Sequence, residues 1–277
     1  MEEPILATPA KYDLDLKLAE LRINGYVLFE DLIPVEKIDR IREAFLPYLE
    51  QVRAHGEPEE GVMLHGRSDD RLVFEGRLQV VNRYTLYVPW EQPFADPEIY
   101  ENPVLLDFLD RYWGTQDYRI TCYHSNNPYP GSEYQRWHRD AGISKLVPHV
   151  GLEVCPHFGV KFPLVDTYEE NGSFEILPCT QYLADPEMEN RYDEILEAGD
   201  FPTRRRLDLK KGTLWIQDPR TLHRGTPNRS DHARPELVIC YSLPWFGQRV
   251  PIEMTQAEFE KISERGRRLH STCRVLD

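Results

Sequence analysis

Residues 212–243 read GTLWIQDPRTLHRGTPNRSDHARPELVICYSL. A glycine turn leads into the apolar run LWIQD, a proline-punctuated loop carries one histidine, His223, and a polar turn precedes a second apolar run, ELVICYSL. Short apolar runs bounded by Gly, Pro, Asn and Asp read as buried strands. The same pattern recurs upstream in LQVVNRYTLYV (78–88), YRITCYHSN (118–126), HFGVKFPLV (157–165) and GSFEIL (172–177). Six strand candidates without regular intervening helices predict a mainly β fold, a sandwich or jelly roll.

Helical signals flank this core. From Leu14 to Leu49 apolar residues recur at helical spacing, broken at Asn24-Gly25 and Ile33-Pro34, which predicts helix, short strand YVLFE (26–30), turn and helix. Residues 1–50 then form an N-terminal helical cap on a jelly-roll core spanning 77–246, within one domain covering 1–277. The polar stretch 51–71, with Gly56, Pro58 and Gly61, shows no period and is expected to be a loop. ENPVLLDFLDRY (101–112) and residues 186–198 are expected helices, and TQAE at Thr255 fits a capping box opening a last helix over 255–268.

Composition narrows the function classes. With 40% hydrophobic and 29% charged residues in 277, the chain has material for a sizeable core. A formal net charge of -14 opposes binding to a polyanion, so nucleic acid is not an expected partner; a small molecule is. The five cysteines are odd in number and hold no C-x-x-C pair, so they are expected to be reduced and mostly buried. Acids stand at the N-terminus where a signal peptide carries bases, and no apolar run approaches the roughly 18 residues of a membrane span. A cytoplasmic protein without membrane contact is expected, its oligomeric state unreadable.

Chemistry concentrates in YQRWHRDAG (134–142), where His138 and Asp140 stand two apart. Residues at i and i+2 of an extended chain point to one side, so an imidazole and a carboxylate there can meet one metal ion. Alone the pair is weak evidence: His55 and Glu57 share the spacing, and taken by itself the pair reads better as a surface loop with two charged groups. His223 and Arg234, eleven residues further on, add the second imidazole and a guanidinium. Two histidines and a carboxylate hold Fe(II) with open positions for a 2-oxo acid and dioxygen, and a guanidinium suits the acid's far carboxylate.

HRD, then YEENGSFEILP (168–178), then HRG with arginine at plus eleven, together with NGYVLFEDLIP (24–34), resembles the phytanoyl-CoA hydroxylase and ectoine hydroxylase group over about 18–246. The resemblance implies a double-stranded β-helix, a cupin-like jelly roll with iron between its sheets. It further implies Fe(II), 2-oxoglutarate and O2 as cofactors, with His138, Asp140 and His223 as iron ligands and Arg234 as the 2-oxoglutarate anchor. Hydroxylation or another oxidation of a C-H bond, with release of succinate and CO2, is the activity that follows. An aspartate at 140, where related halogenases carry a small residue, disfavours halogenation. Gly225 stands where relatives often place a serine that helps hold the co-substrate carboxylate; Thr226 or Thr121 is expected to take that part.

Substrate contacts are expected from Asn82 and Tyr84 on one side of a strand or Arg77 and Arg83 on the other, and from Arg136, Trp137 and Arg139 beside the first ligands. CPH (155–157) is expected to be a buried thiol and a satisfied histidine, and TRRR (203–206) a solvated loop. A polar or specialised metabolite is the expected substrate. The rival readings are a ligand-binding jelly roll without turnover and an iron oxygenase that does not use 2-oxoglutarate.

Overall fold

The computed structural model describes residues 11–54, 62–64, 71–73, 82–140, 154–183, 191–199, 201, 203–246 and 252–276. α1 (Leu14–Asn24) starts at Asp13, whose carboxylate accepts from the amides of Asp15 and Leu16. It ends at Gly25, which holds a φ of 77° and donates its N–H to the Leu21 carbonyl. Side-chain capping and a left-handed glycine satisfy groups that a helix end leaves orphaned. β1 (Tyr26–Phe29), the helix α2 (Val35–Ala54) and strands β2 (Val62–Leu64), β3 (Arg71–Val73) and β4 (Arg83–Tyr87) follow. Next come α3 (Pro97–Tyr100), α4 (Pro103–Trp113), β5 (Arg119–Pro128), β6 (His157–Pro163) and β7 (Phe174–Ile176). α5 (Tyr192–Ala198), β8 (Arg205–Leu207), β9 (Leu214–Gln217), β10 (His223–Arg224) and β11 (Glu236–Ser242) complete the core.

Strands run in the order β1-β9-β6-β11-β5-β4-β2-β3 in one large sheet and β10-β7-β8 in a small one. An isolated antiparallel bridge between His138 and His223 adds the segment carrying the first site residues to the small sheet's edge. Two sheets facing each other with mostly antiparallel pairing form a jelly roll, as expected.

The period of two along each strand separates two environments. Phe29, Phe158, Val160, Ile216, Leu237 and Ile239 face away from the small sheet and pack with Ile41, Phe45, Leu105 and Phe108 of the helices in one buried cluster. The opposite face is closed by a smaller cluster of Ile176, Leu207, Leu209 and Trp215 at one side. Across the middle of that inner face run polar side chains instead: Lys161, Gln217 and Glu236 are all buried. Burying such groups is unfavourable without partners. A sheet that buries charge between its layers is carrying a site.

Several expectations change. Residues 51–71 are not a loop throughout: helix continues to Ala54, and Val62–Leu64 and Arg71–Val73 extend the large sheet. β1 is a strand of the large sheet, paired to β9. The terminal helix divides into α6 (Gln256–Lys261), opened by the Thr255–Glu258 capping box, and α7 (Glu264–Leu269), with parallel strands β12 (Glu253–Thr255) and β13 (Arg274–Leu276) beside them. Ser263, rather than the periodicity, decides the break, because its side chain caps the second helix. Cys155 and Cys240 are buried, Cys122 and Cys273 half-buried, and Cys179 exposed. Thr203 and Arg204 precede a strand, Arg205–Leu207, in which Arg206 donates to Thr226, so TRRR is a solvated loop only at its start. The helix at 101–112 is α4, and of 186–198 the described part is helical from Tyr192. Among the described residues no helix is long and apolar enough to cross a membrane.

Candidate metal centre

His138 and His223 exchange backbone hydrogen bonds, the amide of each donating to the other's carbonyl at 3.0 and 3.1 Å. The Asp140 amide donates to the Pro219 carbonyl at 2.9 Å, tying the segment to the turn before His223. That turn is itself rigid. Asp218 and Arg220 form a buried ion pair at 2.6 Å, and the Asp218 amide donates to the Gly25 carbonyl at 2.8 Å. A Cβ on Gly25 would lie 2.1 Å from Thr221 Oγ1, so the glycine that ends α1 also lets it press on this turn.

With the backbones so fixed, three donors converge. Asp140 Oδ1 lies 3.3 Å from His223 Nε2 and 3.9 Å from His138 Nε2. Adjacent donors bonded at about 2.1 Å and right angles stand about 3 Å apart, so small closures would let one ion meet all three. Each histidine's Nδ1 faces a carbonyl two residues back, Arg136 O at 2.7 Å and Thr221 O at 2.8 Å. At His138 that contact holds the proton on Nδ1 and leaves the Nε2 lone pair for a metal. Burial, with His223 alongside, lowers the His138 pKa to about 4, so the ring is neutral at physiological pH. Desolvation pushes Asp140 up, but His223, Lys161 and His138 outweigh it and hold the carboxylate well below its ordinary range.

Lys161 was not among the residues the sequence singled out. Its Nζ donates to Gln217 Oε1 at 2.5 Å and sits over the Phe174 and Trp215 rings, while Gln217 Nε2 lies 2.6 Å from His223 Nδ1. A lysine within the apolar run HFGVKFPLV was the available signal, since lysines are almost never buried without a purpose.

At the far end of the inner face stand two arginines. Arg234 is 2% exposed, and its Nε has no hydrogen-bond partner among the described residues. Arg83 donates to the Thr226 carbonyl at 2.7 Å; its Nε is likewise buried and unpartnered. Desolvation and the Arg234 charge together lower the Arg83 pKa to about 9. The nearby carboxylate, Glu236, accepts from Trp215 Nε1 at 2.9 Å. Among the described residues, two guanidiniums against one carboxylate leave a buried positive excess that calls for an anion.

Arg83 also explains residue 225. A Cβ there would fall 2.5 Å from Arg83 Nη1 and 2.6 Å from Gln135 Oε1, so a side chain at 225 would displace the ends of both. Both threonine hydroxyls have partners within the protein. Thr226 Oγ1 donates to Ser173 O at 2.7 Å and accepts from Arg206, and Thr121 is the bulged residue of β5, within 2.9 Å of Ser242 Oγ.

The flanking residues turn away, as the period of two demands. Trp137 packs with Leu177, Tyr192, Leu196 and Leu222, and Arg139 donates to the carbonyls of Thr180 and Leu183, so neither faces the donors. Arg136 pairs with Asp193 at 2.7 Å. Asn82, with a φ of 56°, shapes the turn against Pro130, and the Tyr84 ring lies edge-on to Tyr129 at 5.3 Å; of the two sides of β4, Arg83's faces the site. Arg77 lies outside the described residues.

Known proteins agree with this architecture. The multifunctional dioxygenase ausE of Emericella nidulans is 24% identical over 91% of this chain and 85% of its own. AviO1 from Streptomyces viridochromogenes Tue57 superposes with a TM-score of 0.60 at 16% identity, over 86% of this chain and 98% of that one. HygX from Streptomyces hygroscopicus, solved with nickel and 2-oxoglutarate bound, does so with a TM-score of 0.55 at 16% identity, over 86% and 90%. Since residues 21–235 match the phytanoyl-CoA dioxygenase (PhyH) family, the chain belongs to that family and is an Fe(II)- and 2-oxoglutarate-dependent dioxygenase.

Proposed function

We propose that His138, Asp140 and His223 hold the iron, that Arg234 and Arg83 together clamp the far carboxylate of 2-oxoglutarate, and that the enzyme oxidises a C-H bond of a small polar or specialised metabolite. The convergence of three donors within 4.8 Å of one another carries this reading. When bound, the iron supplies activation of dioxygen at the expense of the 2-oxo acid, which leaves as succinate and CO2. The protein's own contribution is positional. Paired backbones fix both imidazoles, Lys161 supplies a cation near Asp140, and the buried arginines offer a fork that only an anion satisfies. A metal-free binding module has no use for this set.

The substrate follows from the inner face. It presents Lys161 and Gln217 near the triad and half-buried Asn126 opposite Glu236, which suit hydroxyl, amide or carboxylate groups better than an acyl chain. The fold neighbour HygX also has a structure with hygromycin B bound.

The test begins with anaerobic addition of Fe(II) and 2-oxoglutarate. A weak visible charge-transfer band is expected in the wild type and not in His138→Ala; its absence from both would sink the triad assignment. Replacing Arg234 with leucine is expected to raise the 2-oxoglutarate concentration at half-saturation by 10-fold or more, on the order of the 1.5–3 kcal/mol of a charged hydrogen bond. A succinate-release screen then separates substrates: turnover with acyl-CoA thioesters and not with small polar metabolites would overturn the substrate class.

A further inference from the structure

A second set of metal-binding side chains stands on the same inner face. Cys122 and Cys240 are directly opposed across β5 and β11, and His124 lies two residues from Cys122, on the same side of its strand. His124 Nδ1 is 3.6 Å from Cys122 Sγ and 3.9 Å from Cys240 Sγ, and all three donor atoms lie within 4.8 Å of one another. A tetrahedral ion with bonds of about 2.3 Å to sulfur and about 2.0 Å to nitrogen separates S from N by about 3.5 Å. The two measured gaps are close to that value. A β-bulge between Cys240 and Tyr241 leaves Thr121 unpaired at this point, the kind of irregularity that re-aims a side chain beside a site.

We propose that Cys122, His124 and Cys240 form a second metal site, for Zn2+ or a similar borderline-soft divalent ion, distinct from the His138–Asp140–His223 centre. Thiolate and imidazole donors select such an ion, whereas the carboxylate-containing triad suits iron. Two thiolates and one neutral imidazole around a dication leave no net charge, which suits a partly buried position. Binding releases the thiol protons to solvent.

The two centres are neighbours without sharing ligands. Gln217, which touches His223, pairs with Gly159, Gly159 with Cys240, and Cys240 with Cys122, so all four lie in one row across the sheet. Two strand spacings, about 10 Å, separate Gln217 from Cys240. Three protein ligands leave a fourth position for water or a donor atom of a bound small molecule, as in zinc sites that act on ligands.

Cobalt(II) distinguishes the sites, because only a thiolate ligand gives an intense near-ultraviolet sulfur-to-cobalt charge-transfer band. Reduced full-length protein is titrated anaerobically with Co2+ and then with Zn2+. The wild type is expected to take up about two equivalents with the sulfur band present, and Zn2+ to bleach it. His138→Ala keeps the band and loses one equivalent; Cys122→Ser and His124→Gln each weaken or abolish the band and keep the other equivalent. Absence of the sulfur band from the reduced wild type would overturn the site, as would a band undiminished in both Cys122→Ser and Cys240→Ser. Loss of the triad's equivalent alone bears on the proposed iron centre and not on this one.

Discussion

At the scale of single residues, the sharpest departure from the family pattern is Gly225, and the structure gives it a mechanical cause. Arg83 occupies the volume that any side chain at 225 would need. Gly225→Ser is therefore expected to displace Arg83 instead of supplying a helpful hydroxyl. Its 2-oxoglutarate half-saturation should rise by 10-fold or more, on the order of one lost charge-assisted contact, while substrate KM stays near the wild-type value. Arg83→Leu should act in the same direction, and a double variant Arg83→Leu/Gly225→Ser should be no worse than Arg83→Leu alone. Measuring succinate release against 2-oxoglutarate concentration decides it; an unchanged half-saturation in Arg83→Leu would remove Arg83 from the clamp. His138, Asp140, His223 and Arg234 were legible from spacing and motif order. Lys161 and Arg83 were not ranked with them, because each sits alone in an apolar run and only cross-strand neighbours disclose its role.

At the scale of elements, the site depends on how α1 meets the turn before β10. Gly25 serves both as the left-handed cap of α1 and as the contact point for Thr221, two residues before His223. Gly25→Ala adds a Cβ at a φ of 77° and 2.1 Å from Thr221 Oγ1. The left-handed backbone alone costs roughly 1–2 kcal/mol. The displaced turn should add to this and weaken Fe(II) binding, which urea denaturation and an Fe(II) titration measure separately. A variant with wild-type stability and iron affinity would show that the turn is held elsewhere. The helix–strand–helix order of the N-terminal region was readable because the breaks fall at Asn24-Gly25 and Ile33-Pro34. That β1 joins the large sheet was not readable, since a four-residue strand acquires its partner only through the fold. Short strands such as β10, with two residues, escape pattern reading for the same reason.

At the scale of the whole molecule, burial of titratable groups ties stability to pH. His270 is 1% exposed, with its ring against Trp90 and Tyr100, its Nδ1 on the Gly266 carbonyl and its Nε2 without a partner among the described residues. Burial lowers its pKa to about 4, whereas the unfolded chain returns it to about 6.5. Between those values the unfolded state binds more protons than the folded state, so stability is full above about pH 6.5 and falls as the pH drops towards 4. The loss attributable to His270 should reach about 2 kcal/mol near pH 5, and His270→Phe should flatten that part of the profile. Denaturation midpoints measured from about pH 7 to 5 test this; identical slopes for variant and wild type would refute it. The sequence by itself determined the class of fold and the chemistry of the iron site, because strand periodicity and motif order are local properties that survive without coordinates. It could not determine what lies opposite what. Only the tertiary structure placed Arg83 against Gly225, Lys161 beside the triad and Cys122 across from Cys240, because those contacts are set by strand register between segments as much as 142 residues apart.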